Sequence, residues 1–280
     1  MSIRSLLRAP LRLFTGNKPQ VAVVQLHGAI GVDARPGRGL SANSVEAALK
    51  KAFRDKSAKA VVLSINSPGG APAQSRMIME RARALSLESQ VPIISYIEDV
   101  GASGGYLIAL AGEEIIADPF AIVGSIGVVS AGFGFQDAIE KLGVERRVYT
   151  SGTNKVRLDP FRAEKPEDKQ KLENLLAETH EIFIDLVKTS RGDRITGPAD
   201  QVFSGDFFLA SKGKEWGLID EIGDLRQILK SRYGTDVVVN VISSNRGGLL
   251  SRLGASFSAG LVDAAASRLE LEGLKARLGR

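Results

Sequence analysis

Short runs of apolar residues recur through the first half of the chain, and each ends in a turn of glycine and other small residues. The runs cover residues 21–26, 60–65, 91–97 and 121–129. Runs that are apolar at nearly every position are typical of parallel strands covered on both faces. Helical patterns separate them, so the sequence predicts an α/β fold of repeated βα units around a largely parallel sheet. Sites in such folds lie at the carboxyl edge of the sheet.

The second half of the chain is predicted to be mainly helical. Residues 165–190 carry apolar side chains at helical spacing, which predicts a long amphipathic helix. Residues 146–149 and 236–242 are predicted to be strands. Ser41 or Ser44 is expected to cap the first helix of the chain.

The net charge indicates three regions. The chain carries +5 overall, of which residues 1–20 contribute +4 and residues 246–280 contribute +3, so the body is close to neutral at −2. The basic surface typical of nucleic-acid binding is therefore missing from the body. We expect a basic amphipathic segment over residues 1–17, one catalytic domain over residues 18–243 and a helical tail over residues 244–280.

Composition excludes several kinds of chemistry and location. The chain has no cysteine and two histidines, His27 and His180, so we expect no metal site and no cofactor. No apolar stretch reaches the roughly 18 residues that span a bilayer, and a secretory signal is not predicted. Arg4, Arg8 and Arg12 share one helical face, which favours contact with an anionic membrane surface. We expect a protein of the cytoplasm or the periphery of the cytoplasmic membrane.

A candidate nucleophile lies between the third apolar run and the helix that follows it. The sequence Gly101-Ala102-Ser103-Gly104-Gly105 matches G-x-S-x-G, a turn that lifts a serine clear of the packed elements. A serine of this kind usually needs a histidine as base. Here His27 precedes the serine at a strand end and His180 lies within the predicted long helix. A Ser-His-Asp triad is therefore not expected.

Lysine is the next common base for a serine. It must be neutral to accept a proton, so its site is expected to be partly buried and apolar. Lys155 lies in a loop of small residues, 151–156, after the predicted strand at 146–149. Spacing narrows the candidate lysines in favour of this loop but does not choose among them.

Five motifs in a fixed order resemble one known family. They are Asn66-Ser67-Pro68-Gly69-Gly70, Asp99 to Tyr106, Gly124-Ser125-Ile126-Gly127-Val128, Ser151-Gly152 through Lys155 to Pro160, and Gly217-Leu218-Ile219-Asp220-Glu221-Ile222-Gly223. Together they span about residues 20–240, and they resemble the signal peptide peptidase A family of Ser–Lys peptidases. That family has the Clp-protease/crotonase type of fold.

The resemblance implies a role for each matched residue. Ser103 is implied as nucleophile, Lys155 as general base and Ser125 as the group that orients the lysine amine. Gly69 and Gly70 are implied at the oxyanion hole, which backbone N–H groups of glycines serve without steric hindrance. Substrate is implied to lie as an extended strand beside these glycines and beside Ile126, Gly127 and Val128.

The expected function is therefore that of a serine endopeptidase acting on extended peptides, such as signal-peptide remnants or membrane-associated and unfolded polypeptides. The resemblance also implies a homo-oligomeric ring, in which the serine and the lysine come from one subunit or from two. Two alternatives remain open. One is a crotonase-like acyl-CoA enzyme that uses the same glycine oxyanion hole, and the other is a non-catalytic membrane or assembly module.

Overall fold

A computed structural model describes residues 18–31 and 39–243. The predicted N-terminal segment of residues 1–17 and the predicted tail of residues 244–280 lie outside the described residues. The strands are β1 Gln20–His27, β2 Ala60–Ser67, β3 Ile93–Ala102, β4 Glu114–Ala117, β5 Ile122–Gly124, β6 Phe207–Leu209, β7 Glu221–Ile222 and β8 Val238–Ser243. The helices are α1 Ala42–Ala52, α2 Pro72–Ser89, α3 Gly104–Ala109, α4 Gln136–Lys141, α5 Pro166–Arg191, α6 Ala199–Val202, α7 Ala210–Glu215 and α8 Leu225–Tyr233.

The strands form one twisted sheet in the order β6-β5-β3-β2-β1-β8, with β4 pairing both β3 and β7. The described strands pair in parallel, apart from β5 and β6, which run antiparallel. The largely parallel α/β sheet predicted from the apolar runs is therefore confirmed. Parallel pairing places the carboxyl ends of β2, β3 and β5 at the same edge, where the glycine turns lie.

One face of the sheet carries the main core. Alternate residues of the central strands, such as Leu26, Leu63 and Ile97, are fully buried there against α1, α2 and α3. Serine caps α1 as expected: the Ser41 hydroxyl accepts from the Ser44 N–H, and the Ser44 hydroxyl accepts from the Ser41 N–H in return. The first turn of α2 starts with Pro72, which suits a position whose N–H has no partner within the helix.

The opposite face of the sheet is partly covered, by the short helix α8. Helix α8 packs Ile228 and Leu229 onto Val21, Val62 and Ile94 at the amino-terminal half of the sheet. These five residues are each less than 10% exposed. The carboxyl-terminal half of this face lies beyond the reach of α8.

The long helix α5 confirms the amphipathic pattern, since Phe183 and Val187 are buried in the main core. Its last residue, Arg191, is 3% exposed. The Arg191 guanidinium donates two hydrogen bonds of 2.8 Å to the Asp220 carboxylate and one of 2.9 Å to the Gly217 carbonyl. Asp220 also accepts from the Ile115 N–H at 2.8 Å. This pair ties the long helix to the sheet next to β4 and β7.

The predicted strand over residues 146–149 is wrong. The segment is irregular, and the whole stretch of residues 129–165, called the arm below, contains no buried residue. Arg146 binds the Asp159 carboxylate at 2.9 Å and lies 4.8 Å from the centre of the Phe161 ring. A strand needs a neighbouring ladder to satisfy its backbone, and no described strand pairs with this exposed segment.

Candidate active site

Ser103 has a backbone conformation that residues other than glycine rarely adopt. Ser103 follows β3 directly and precedes α3, and its φ of 52° lies in the left-handed region. A non-glycine residue in that region costs about 1–3 kcal/mol and persists only where the surroundings impose it. The Ser103 N–H donates to the Gly124 carbonyl at 2.9 Å, which fixes the turn to β5. The sequence placed this serine correctly on a strand-to-helix turn.

Gly69 and Gly70 lie against this turn. A Cβ at Gly69 would come within 2.8 Å of both the Gly104 nitrogen and the Ser103 Cβ, so only glycine lets the two loops approach. Gly70 has a φ of 144° and is held by a bridge to Ile30, whose carbonyl would lie 1.9 Å from an added Cβ. The N–H of Gly70 makes no hydrogen bond to the described residues.

A second amide donor faces the same region. Gly104 is the first residue of α3, and the first N–H groups of a helix lack partners within it. An added Cβ on Gly104 would lie 3.3 Å from the Gly70 nitrogen, so the two amides are close neighbours beside Ser103. Two neighbouring amides without described hydrogen-bond partners, next to a strained serine, are the kind of groups from which an oxyanion hole is built. Gly70 was among the residues implied by the family resemblance, and Gly104 was not, although the residue after a nucleophile commonly donates to an oxyanion.

The segment from Ser125 to Val128 lies on the other side of Ser103. Ser125 also has a φ of 52°, and its N–H donates to the Asp206 carbonyl at 2.7 Å. Gly127 packs against Gly205, whose Cα would lie 2.7 Å from an added Cβ. Ile126 is fully buried, which directs its neighbours Ser125 and Gly127 toward the surface.

Most of the predicted site residues line one open pocket of about 890 Å³. Of the predicted residues, Gly70, Ser103, Ser125, Gly127 and Val128 line it; Gly69 lies just behind the wall and Ile126 beneath it. The opposite wall is formed by apolar side chains on one face of α5, and α3 contributes one more apolar side chain, Leu107. The large apolar lining side chains are Leu107, Val128, Val129, Ile182, Phe183 and Leu186.

Four polar residues of the pocket were not predicted as site residues: Arg76, Thr179, His180 and Ser204. His180, on α5, lines the pocket and hydrogen-bonds through Nε2 to the Ile126 carbonyl at 2.8 Å. A carbonyl can only accept, so Nε2 carries the proton. Arg76, on α2, lies at the rim with a side chain that is 57% exposed. The helical spacing of His180 indicated a structural residue, and its place on the wall depends on how α5 crosses the sheet.

Lys155 is not brought to this pocket. It lies in the arm, it is exposed, and its N–H donates to the Gly152 carbonyl at 3.3 Å. The described lining of the Ser103 pocket does not include it. The partly buried, apolar setting expected for a lysine base is therefore not found for Lys155 within one copy of the chain.

Two partly or fully buried groups, Tyr106 and Asp220, hold the structure beneath the site in place. Burial raises the pKa of Tyr106 above its usual range, so this phenol stays protonated, and its hydroxyl donates to the Leu218 carbonyl at 2.7 Å. Burial by itself would raise the pKa of Asp220, but the hydrogen bonds from Arg191 and Ile115 and the charges of Arg191 and Arg194 lower it. Asp220 is thus held as a carboxylate. Both contacts fix the 217–223 motif behind α3.

The described part of the chain has neither a metal-binding cluster nor a membrane-spanning helix. Residues 18–31 and 39–243 contain no group of three or more histidine or acidic side chains placed to hold a metal ion. Within the same ranges, no helix is long and apolar enough to cross a membrane.

Comparison with known sequences adds independent findings. The profile of peptidase family S49 matches residues 86–235, more than half of the chain. The chain is 50% identical over 258 residues to a Na(+)/H(+) antiporter NhaA of Brucella abortus, a match that covers 91% of this chain and 35% of that protein. It is 29% identical over 232 residues to the chloroplastic serine protease SPPA of Arabidopsis thaliana, covering 81% of this chain and 34% of that protein. The chain thus spans about a third of the length of these relatives.

Comparison with solved structures concerns the fold. The 1510-N membrane-bound stomatin-specific protease, solved as a lysine-to-alanine mutant with a substrate peptide, superposes with a TM-score of 0.51. The match covers 87% of this chain and 99% of that one at 17% sequence identity. The predicted Clp-protease/crotonase class of fold is confirmed.

Proposed function

The chain belongs to peptidase family S49, and from that premise we propose that it is a serine endopeptidase that hydrolyses extended peptides through Ser103. The observation that carries the proposal is the strained Ser103 beside the free amide of Gly70 in an open pocket. Folds of this class host several reactions, so the site and not the fold supports the assignment. Membership of a peptidase family favours it over the acyl-CoA enzyme and over the non-catalytic module.

In the proposed reaction, the Ser103 Oγ attacks the scissile carbonyl carbon while its proton passes to the lysine amine. The carbonyl oxygen becomes an oxyanion between the Gly70 and Gly104 N–H groups, and one such donor lowers the barrier by about 2.7–4 kcal/mol. The C–N bond then breaks, and the lysine returns the proton to the leaving amine. Water hydrolyses the resulting serine ester by the same proton transfers in reverse order.

Lys155 is the proposed base, and we place it in the site of a neighbouring copy. Support comes from the arm, which holds Lys155 away from the Ser103 pocket of its own chain and contains no buried residue. Its exposed large apolar residues range from 41% exposed for Phe135 to 79% for Phe133 and 90% for Tyr149. Packing of the arm against a second copy would bury these side chains and desolvate Lys155, which lowers the pKa of a lysine amine. In that setting Ser125 would orient the amine.

The proposed substrate is an extended polypeptide. Backbone at Gly127 and Val128 lies along the pocket opposite Gly70, which suits a strand added between them. The apolar wall from α5 suits an apolar side chain next to the scissile bond. The related stomatin-specific protease was solved with a substrate peptide, in keeping with this class of substrate. Signal-peptide remnants and membrane-associated or unfolded proteins are the proposed natural sources.

The proposed location is the cytoplasm or the cytoplasmic membrane surface, with residues 1–17 as the membrane contact. Support comes from the arginines at positions 4, 8 and 12. The match to the antiporter relative covers about a third of that protein.

Hydrolysis of a fluorescently labelled unfolded protein by the purified full chain tests the dyad. Ser103→Ala and Lys155→Ala are each expected to reduce kcat to background, and Ser125→Ala to reduce it about 10²-fold or more, in the range of general-base contributions. Lys141→Ala is the matched control, since Lys141 is another exposed lysine of the arm. The dyad is disproved if Lys155→Ala retains full activity. Inactivity of the wild-type oligomer would instead contradict the peptidase assignment.

A further inference from the structure

Half of one sheet face is left uncovered in the described part of the chain. This open face lies at the carboxyl-terminal half of the strands, on the side that carries α8. Strand alternation assigns its residues, because their neighbours Leu26, Ile65 and Val123 point into the main core on the other side. The open face includes His27, the buried Ser64, Asn66 and Glu98, followed toward the β6 edge by Val100, Ile122, Phe207 and Leu209. Asp118 follows β4, and the exposed Phe120 lies in the turn between β4 and β5.

The centre of the open face is polar and acidic. His27 Nε2 lies 3.1 Å from the Glu98 carboxylate, to which the buried Ser64 hydroxyl also donates. Asn66 donates to the Asp99 carboxylate at 2.6 Å. Next to this cluster, burial raises the pKa of Tyr96 to about 12, and the negative charges of Asp118, Asp224 and Glu98 add to the shift. Acidic charge is therefore concentrated where α8 begins, next to its N-cap residue Asp224.

The end of the open face near β6 is apolar. The side chains of Phe120, Phe207 and Leu209 are 86%, 62% and 55% exposed. Pairing of Ile122 with Leu209 and of Gly124 with Phe207 puts the β6 residues on the same side as Ile122. A group of exposed apolar side chains on one sheet face usually marks a surface that binds another segment or partner.

Parallel sheets are normally covered on both faces. Helix α8 has 9 residues, or about 14 Å at 1.5 Å per residue, and it covers the amino-terminal half alone. The described elements therefore leave the acidic and aromatic half without such a cover.

The chain leaves the sheet beside this surface. Strand β8 runs parallel to β1, and its last residue, Ser243, pairs with Gln25. Ser243 therefore lies two residues short of the level of His27, at the edge opposite β6. The 37 residues from 244 to 280 carry six bases and three acids, a net charge of +3 opposite an acidic surface. They also carry apolar residues at helical spacing, including Leu261, Ala265 and Leu269.

The length of the tail is also sufficient to cross the open face. Six strands at about 4.8 Å make the sheet about 24 Å wide from β8 to β6, and a helix of about 16 residues has that length. Residues 249–280, after the linker predicted at Asn245-Arg246-Gly247-Gly248, number 32, which is more than this length requires.

We propose that residues 249–278 of the same chain dock across the open face, from the β8 edge to the β6 edge. Their bases would lie over the cluster of His27, Glu98 and Asp118, and their apolar side chains would cover Phe120, Phe207 and Leu209. The surface lies on the face of the sheet opposite α2 and α3, so the tail would complete the second core without entering the Ser103 pocket. The inference does not rest on peptidase activity.

A single thiol tests the proposal, because the chain has no cysteine of its own. The full-length Leu209→Cys variant is labelled with a maleimide at several protein concentrations. In this background, Leu261→Asp with Leu269→Asp removes the apolar stripe of the tail, and Ser258→Asp with Ser267→Asp adds the same charge without removing it. Labelling is expected to be at least about 10-fold slower in Leu209→Cys and in the serine control than in the leucine double variant.

Three outcomes overturn the proposal. Rapid labelling in all variants means that the open face is bare. Slow labelling that disappears on dilution but survives the leucine changes means that a second copy covers it. Slow labelling that requires phosphatidylglycerol vesicles means that a membrane does. As a second readout, Leu209→Cys with Leu269→Cys is expected to form a disulfide within one chain under oxidation; a link exclusively between chains would contradict docking by the chain's own tail.

Discussion

At the scale of single residues, two serines share a backbone conformation that serines rarely adopt. Ser103 and Ser125 both have a φ of 52°, and both are fixed by hydrogen bonds from their own N–H groups to carbonyls of neighbouring strands or loops. The pattern G-x-S-x-G identified the first because a strand, a tight turn and a helix are local features. The second was identified by family resemblance, since a turn serine has no distinctive local pattern.

His180 is predicted to align the segment that pairs with substrate. His180→Ala removes the donor to the Ile126 carbonyl, and a lost hydrogen bond of about 0.5–1.5 kcal/mol corresponds to up to about a 10-fold fall in kcat/KM. His180→Gln retains an N–H donor and is expected to recover part of the loss. Peptide hydrolysis by each variant, with the melting temperature as a check of folding, measures the effect.

His27→Ala is the matched control for His180, because His27 lies at the end of β1 on the opposite face of the sheet. It is expected to leave kcat/KM unchanged. An equal loss in both histidine variants would mean that His180 acts through general stability and not through Ile126.

The buried pair of Arg191 and Asp220 is predicted to be a large single contribution to stability. Arg191→Met leaves the Asp220 carboxylate without its bidentate partner, and breaking a buried pair costs about 3–5 kcal/mol. Arg194→Met is the control, since its contact with Asp220 is 3.5 Å long and its side chain is 44% exposed; about 1 kcal/mol or less is expected. Urea unfolding of both variants decides whether burial sets the difference.

The same pair has a defined pH dependence. The folded state lowers the pKa of Asp220, so its contribution is fully present above the ordinary aspartate pKa of about 4 and is lost as the pH falls through the lowered value. The stability difference between wild type and Arg191→Met is expected to be largest near neutral pH and to shrink below about pH 4. A difference that grows on acidification would contradict the assignment.

At the scale of elements, α3 is held against β2 by glycine contacts. A Cβ at Gly105 would come within 2.4 Å of the Ser67 carbonyl oxygen, so Gly105→Ala forces α3 away from the sheet. Overpacking of this kind costs about 1–3 kcal/mol. Denaturant unfolding is expected to show that loss, together with reduced hydrolysis because α3 carries the Gly104 amide.

Gly132→Ala is the corresponding control in the arm, where an added Cβ meets no atom within 4 Å. Its stability is expected to change by less than about 0.5 kcal/mol, as for ordinary surface substitutions. Similar losses at both glycines would show that the contact with Ser67 is not the cause.

Elements with strong local patterns were predicted well, and short ones were not. The apolar runs gave β1, β2 and β3, and the amphipathic pattern gave α5 to within one residue at each end. Strands β6 and β7 have 3 and 2 residues and were not predicted. Such short strands form because a neighbouring strand is already in place, β5 for β6 and β4 for β7. The local sequence pattern does not show where such a neighbour lies.

At the scale of the whole molecule, the division of the dyad between two copies makes a prediction about mixtures. Ser103→Ala and Lys155→Ala, each inactive alone, are expected to recover up to about one quarter of wild-type activity after refolding together. A heterologous interface draws the serine from one chain and the lysine from the next, so random mixing restores that fraction of sites. Hydrolysis of the labelled unfolded protein measures the recovery.

The control mixes Ser103→Ala with Ser125→Ala, two changes in the same pocket. Sites that receive an intact Ser103 then lack Ser125, and no gain above that of the Ser125→Ala chain is expected. An inactive mixture of the serine and lysine variants, in assemblies shown to contain both chains, would place the dyad within one subunit.

The sequence by itself determined the parallel sheet, the long helix and the position of Ser103 on its turn, because each depends on residues adjacent along the chain. Tertiary structure decided which distant groups meet. It placed His180 on the pocket wall, paired the amides of Gly70 and Gly104 beside Ser103, and held Lys155 away from them. These relations depend on how strands and helices cross in space, and side-chain periodicity carries no information about such crossings.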